Sequence, residues 1–201
     1  MERRLAVEIV EQTPAELEEY ARIATAYEVS RVLDVLPTAN GLGGLALVER
    51  DLSDPYLKDY DAIAGGEGPL TWSRRFDLSN WCLFMALVGD RRVGGATVIF
   101  NAPEVDMLEG RSDLALIWDI RVAPEARRLG VGSELFRAAV EWSKARSARL
   151  LKVETQNTNV PACRFYARQG CFLGAIDRFA YRDLSHEVQL LWYKDLASSA
   201  G

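Results

Sequence analysis

Arg127, Arg128, Gly130 and Gly132 fall together in the run WDIRVAPEARRLGVGS, which occupies 118–133. A glycine-containing turn that opens a helix leaves several backbone N–H groups with no partner inside the helix. Those donors, together with the positive end of the helix dipole, suit a phosphate. Glycine lets a ligand approach the main chain closely, and the two arginines add charge and paired donors. A plain turn with solvated arginines would show the same residues, so the motif gains meaning only from its context. Two nucleotide readings are disfavoured. No Lys-Ser or Lys-Thr pair follows Gly132, as a P-loop needs, and only two of the three glycines of a dinucleotide fingerprint are present.

The elements around this turn follow from spacing. Leu114, Leu116, Trp118, Ile120 and Val122 alternate with Ala115, Ile117, Asp119 and Arg121, the period of a strand, with Asp119 on the face opposite Trp118 and Ile120. Pro124 stops that ladder for want of an N–H. Val131, Leu135, Ala138 and Trp142 recur at three- and four-residue steps, with Glu134, Arg137, Glu141 and Lys144 between them, which predicts an amphipathic helix.

Downstream, 149–155 reads as a strand. Asn159 can cap a helix whose first turn contains Pro161, whose apolar face carries Ala162, Phe165 and Tyr166, and which stops at Gly170. Strands at 171–175 and 188–193 follow. Upstream, 5–10 reads as a first strand. Thr13 supplies a capping hydroxyl to a helix with Leu17, Tyr20, Ala21 and Ala24 on one face. Residues 27–36 and 45–49 suggest a hairpin around the turn at 37–41, and 55–61 a short helix. Residues 64–69 read as a glycine-rich loop, Trp81–Val88 and 93–100 as a hairpin, 101–113 as an acidic loop, and 198–201 as a frayed end. Strands and helices mixed in this order imply an α/β chain, a mixed sheet with helices on its faces.

Composition bounds the rest. A chain of 201 residues, 49% hydrophobic, can bury one good core, so a single domain over 1–201 is expected. No apolar run approaches the ~20 residues that span a bilayer, and the N-terminal MERR precedes an amphipathic segment, so a cytoplasmic protein without membrane association is expected. A net charge of −5 argues against non-specific nucleic-acid binding and is compatible with a cationic substrate. Cys82, Cys163 and Cys171 are odd in number and lack metal-ligand spacing, which fits a reducing compartment. With His186 the only histidine, neither a Ser-His-Asp triad nor a histidine-held metal is expected.

Arg127, Gly130 and Gly132 resemble motif A, Arg/Gln-x-x-Gly-x-Gly/Ala, of the GNAT superfamily of acyl-CoA N-acyltransferases. ETQNTN at 154–159, followed by Ala162, Phe165, Tyr166 and Gly170, resembles that family's motif B in the right order and separation. Within the superfamily, CRFYARQGCFLGAIDRFAYRDL, the late QLLWYKDL and the earlier PYLKDYD look most like the streptothricin acetyltransferases. The superfamily resemblance covers roughly 81–196 and the subfamily resemblance is strongest after Val153.

The resemblance implies a central, mostly antiparallel sheet with helices on both faces, a core over 81–196 and a variable acceptor side over 1–80. It also implies acetyl-CoA as acetyl donor and no metal. The backbone of Ile120, Arg121 and Val122 matches the strand that pairs with pantetheine. Arg127 belongs to motif A, and Arg128, Leu129, Gly130, Val131, Gly132 and Ser133 match the pyrophosphate cradle. Asn159 matches a position that often meets the cofactor, although capping explains it equally well. Tyr166 matches the tyrosine that protonates the CoA sulfur; a core tyrosine would sit there too. Glu154 matches a glutamate that is the base in some members, among them the ribosomal-protein alanine acetyltransferases, and Asp119 is the competing base. For each carboxylate a structural role stands beside the catalytic one.

Transfer to an amine needs such groups. An alkylammonium titrates near ~10.4, so at neutral pH roughly one molecule in 2,500 is the neutral nucleophile, about 4.6 kcal/mol of deprotonation to supply. A carboxylate can take that proton, and backbone donors can meet the carbonyl oxygen as it gains charge. The leading reading is an acetyl-CoA-dependent N-acetyltransferase for a small-molecule primary amine, with streptothricin the best-named acceptor. The alternatives are a protein, peptide or polyamine acetyltransferase and a non-catalytic acyl-CoA sensor. A homodimer is compatible with the sequence, which leaves oligomeric state open.

Overall fold

The computed structural model describes residues 6–63, 68–182, 184 and 186–197. Leu5 of the expected first strand, most of the expected glycine-rich loop and the 198–201 end lie outside the described residues. In chain order the elements are β1 (Glu8–Gln12), α1 (Leu17–Ala21), β2 (Tyr27–Pro37), β3 (Leu45–Lys58), α2 (Tyr60–Ile63), α3 (Pro69–Arg75), β4 (Trp81–Val88), β5 (Arg91–Phe100), β6 (Leu114–Val122), α4 (Val131–Ala145), β7 (Leu150–Gln156), α5 (Val160–Arg168), β8 (Phe172–Asp177) and β9 (Gln189–Asp195). Among the described residues the main sheet runs β1-β4-β5-β6-β7-β9-β8, and β2 and β3 form a separate ribbon. The pairs β1–β4, β4–β5, β5–β6 and β8–β9 are antiparallel, so this is the mixed α/β, mostly antiparallel architecture that the sequence predicts. None of the described helices is long and apolar enough to cross a membrane.

Packing divides the chain into two compact units. The first takes Met1–Ala26, Asp59–Lys152 and Asp195–Gly201; the second takes Tyr27–Lys58 and Val153–Lys194. In the first unit, two consecutive glycines of β5 let both faces of the sheet be covered closely. A Cβ on Gly94 would stand 3.0 Å from the Val131 side chain and 3.2 Å from Leu135, both on α4. A Cβ on Gly95 would stand 2.5 Å from the Tyr20 ring and 2.8 Å from the Phe84 carbonyl oxygen. Successive strand residues point to opposite faces, so α4 packs on one side and Tyr20 on the other. Tyr20, Leu17, Ile23, Trp72, Leu83 and Met85 form a buried cluster, joined by Phe76, Trp81 and Trp118. Adjacent rings there lie 5.4 to 5.9 Å apart, normal aromatic packing.

Several local expectations shift. α4 buries Phe136, Ala139, Val140 and Ser143 beside Val131, Leu135 and Trp142, so its stripe passes through Ala139 and not Ala138. The Thr13 hydroxyl makes no cap; the segment opens as a turn of 3-10 helix over Pro14–Glu16, and the helix proper begins at Leu17. Beyond that short helix the buried face continues through Ile23, while Ala24 is exposed.

In the second unit, β3 runs to Lys58, so the helix expected over 55–61 is reduced to Tyr60–Ile63. Pro55 is tolerated there because the β2–β3 register skips from the Val29–Tyr56 pair to Arg31–Asp51, and its missing N–H falls in the skipped stretch. α5 buries Val160, Cys163 and Tyr166, a face rotated from the expected Ala162, Phe165 and Tyr166. The last two strands begin at Phe172 and Gln189, each one residue later than expected.

Candidate functional site

The turn before α4 is built from left-handed residues. Arg128 has φ 62° and Gly130 φ 90°. A Cβ on Gly130 would meet no atom within 4 Å, so the left-handed backbone, not crowding, favours glycine there. The first bonds into the helix run from Ser133 N and Glu134 N to Gly130 O, at 3.0 and 3.1 Å. The amides of Val131 and Gly132 therefore precede the helical ladder and point out of its end. Arg128, Leu129 and Gly130 are exposed. Open amides, a helix dipole and the exposed Arg128 form a donor set that fits a diphosphate. Arg127 differs. Its Nε donates to Val122 O at 3.1 Å and its Nη2 to Ala26 O at 2.7 Å, so its guanidinium braces the loop from behind. Burial pulls that guanidinium below the usual arginine value.

Ile120, Arg121 and Val122 lie in the β5–β6 ladder opposite Ala96, Gly95 and Gly94. Just before them the register passes from Thr97–Asp119 to Val98–Ile117, leaving Trp118 as the extra residue of a bulge. The bulge breaks the strict alternation. Trp118 packs on Phe76 and Trp81, while Asp119 accepts a bond from the Tyr20 hydroxyl of the same cluster at 3.1 Å. The expectation that Asp119 lies on the strand face opposite Trp118 is thereby corrected, since both side chains meet the cluster around Tyr20.

Asp119 also pairs with Arg121 at 2.7 Å, and Arg121, whose side chain is 3% exposed, reaches Asp61 at 3.3 Å and Ile23 O at 3.0 Å. Burial works against the Arg121 charge, but Asp119, Tyr20 and Asp61 outweigh it and hold the guanidinium above its ordinary value. Burial, then the Asp119 charge, pushes the Tyr20 phenol well up. The Asp119 carboxylate is thus matched by a buried cation.

In the second unit Glu154, on β7, is surrounded by uncharged donors. Tyr181 Oη donates to its Oε1 at 2.5 Å and Gln189 Nε2 to its Oε2 at 2.8 Å. Gln156 Nε2 donates to the Tyr181 hydroxyl at 2.9 Å and lies 3.4 Å from Oε1. Tyr166, on α5, is 2% exposed and packs edge-on to Phe165 with centroids 5.2 Å apart. Asn159 caps α5, its Oδ1 accepting from Ala162 N at 3.2 Å. The Cys163 thiol is buried beside the Thr155 hydroxyl, and burial raises it, which suits an inert core thiol. His186 stands with its side chain 65% exposed, 3.8 Å from Glu187.

The sequence reading did not find Tyr181 and Gln189 as partners of Glu154, Tyr20 as a partner of Asp119, or Asp61 as a partner of Arg121. Tyr181 and Gln189 stand inside the stretches that carry the late-chain resemblance, and that was the available signal. Nothing local links Tyr20 to Asp119, 99 residues away.

A family model for the acetyltransferase (GNAT) family matches residues 46–171. The streptothricin acetyltransferase of Escherichia coli is 40% identical over 153 residues, covering 75% of this chain and 76% of that protein. Streptothricin acetyltransferase A of Bacillus subtilis strain 168 is 41% identical over 81 residues, 39% of this chain, and the match spans only 47% of the Bacillus protein. A solved structure from Bacillus anthracis str. Ames, in complex with acetyl coenzyme A, superposes with a TM-score of 0.72 over 96% of this chain and 99% of that one, at 24% identity.

Proposed function

The chain belongs to the GNAT family of acetyltransferases, and from that premise we propose that it transfers acetyl from acetyl-CoA to a primary amine of a streptothricin-type acceptor, with Glu154 as base and Tyr166 as acid. The observation that carries the assignment of the base is the surroundings of the two carboxylates. Among the described residues, Glu154 accepts from uncharged side chains, whereas Asp119 is matched by the buried Arg121. Asp119 is already engaged by a guanidinium of the protein, whereas Glu154 is held by neutral donors and has lone pairs to spare for an incoming ammonium or water.

In this reading the amides of Val131 and Gly132 and the side chain of Arg128 hold the diphosphate of acetyl-CoA, which supplies the activated acetyl group. Arg127 keeps the cradle in shape. Glu154 takes a proton from the acceptor ammonium, directly or through water, and frees the nitrogen lone pair. As the N–C bond forms and the C–S bond breaks, the Tyr166 hydroxyl gives its proton to the departing sulfur. Of the two protons the ammonium loses in becoming an amide, one ends on the CoA thiol and one in solvent, so the balance closes without metal or covalent enzyme chemistry. The streptothricin acceptor is supported by the E. coli relative, which resembles this chain over three quarters of both.

Thiol release from acetyl-CoA with streptothricin as acceptor tests the assignment. Glu154→Gln is expected to lower kcat by about 10²- to 10⁴-fold with the KM for acetyl-CoA nearly unchanged. Asp119→Asn is expected to show its main effect on the melting temperature. A folded Asp119→Asn protein without turnover, beside an active Glu154→Gln protein, would reverse the roles.

A further inference from the structure

We propose that Tyr181, seconded by Gln189, is a positioning residue for Glu154: the two side chains fix the direction of its carboxylate, so that their loss is felt in kcat and not in the KM for acetyl-CoA. The inference rests on the reading of Glu154 as the base and deepens it.

Tyr181 and Gln189 take one carboxylate oxygen each, at 2.5 and 2.8 Å. Gln156, two residues along β7 from Glu154, donates to the Tyr181 hydroxyl at 2.9 Å, which turns the phenolic proton toward Glu154. With its oxygen already accepting from Gln156, Tyr181 acts toward Glu154 as the donor. Burial, reinforced by the Glu154 charge, pushes the Tyr181 phenol far up, so that it keeps this proton throughout the working pH range.

Between β8 and β9, after Tyr181, the residues Glu187 and Val188 are held in place. Glu187 accepts from Lys58 Nζ through both oxygens at 2.6 Å, and the two side chains are 4% and 3% exposed. Asn157 exchanges two bonds with Val188, at 3.0 and 2.8 Å, and donates to Leu33 O at 3.1 Å. A buried ion pair is an expensive way to gain stability, but it holds the Glu187 and Lys58 side chains in one arrangement. Among the described residues, the Glu187 charge reaches Tyr181 and Tyr56, Lys58 pairs with Glu187, and His186 lies 3.8 Å from it.

A base must stay within hydrogen-bond reach of the proton it takes, and losing a donor frees its carboxylate to rotate. Tyr181→Phe is therefore expected to lower kcat with streptothricin by about tenfold. The KM for acetyl-CoA and the melting temperature should stay close to wild type. Gln189→Met is expected to lower kcat by less, which keeps the question open to test if the first variant folds poorly. Added to Glu154→Gln, Tyr181→Phe should cost little more, because both act on one group.

Losses that multiply in the double variant, or a loss that falls on the KM for acetyl-CoA with kcat kept, would overturn the positioning role. If Glu154→Gln is inactive while Tyr181→Phe behaves as wild type, the inference alone fails. If Glu154→Gln turns over as wild type does, the assignment of the base and the inference fail together.

Discussion

Arg127 and Asp119 are the side chains whose chemical types are plainest in the sequence and whose partners are least so. Arg127 belongs to a motif that suggests an anion, yet its donors meet two carbonyl oxygens of the protein, one of them on Ala26, 101 residues away. Arg127→Ala is therefore expected to destabilise the protein without any ligand present, by about 1–3 kcal/mol, the value of charge-assisted bonds to partly buried acceptors. Urea denaturation in the absence of acetyl-CoA would measure it. A side chain that served phosphate alone would leave that curve unchanged. Asp119 has an equivalent history: its competition with Glu154 is visible in the sequence, but the Arg121 guanidinium that matches its charge is disclosed only by the fold. What could be read was which residues had the chemistry; what could not was which of them the protein itself had already engaged.

At the scale of elements, periodicity served well where one face decides and poorly where both are buried. The β4 strand stands where its residues place it, and α4 begins within its expected turn. β6 alternates in sequence but buries Leu114, Ala115, Leu116 and Ile117 in succession, and its bulge at Trp118 left no local mark. β3 ran past Pro55 because a skipped stretch of register excused the missing N–H, a compensation that depends on the partner strand.

Gly94 and Gly95 look unpromising in a strand, since glycine has nothing to pack. Their reason appears only when α4 and Tyr20 arrive from opposite sides. Gly95→Ala would drive a methyl to 2.5 Å from the Tyr20 ring and 2.8 Å from a carbonyl oxygen. It is expected to destabilise by about 1–3 kcal/mol, as overpacking does, read as a lower urea midpoint at unchanged slope. A neutral or stabilising Gly95→Ala would show that Tyr20 has room to move.

For the whole molecule, the two compact units are each assembled from segments far apart in the chain. The pair Lys58–Glu187 is separated by 129 residues, and Glu154 meets Gln189 across 35. Long-range closures of this kind carry no signature in composition or spacing. The family resemblance supplied the fold class and the acetyltransferase family, but none of these pairs. The most direct measurement is a thiol-release assay with acetyl-CoA and wild-type protein, offered streptothricin, aminoglycosides, polyamines and peptide amines in parallel, with the acetylated product identified by mass spectrometry. Turnover on streptothricin, well above every other amine, is the expected result. Turnover confined to peptide amines or polyamines, or acetyl-CoA binding with no turnover on any amine, would contradict it.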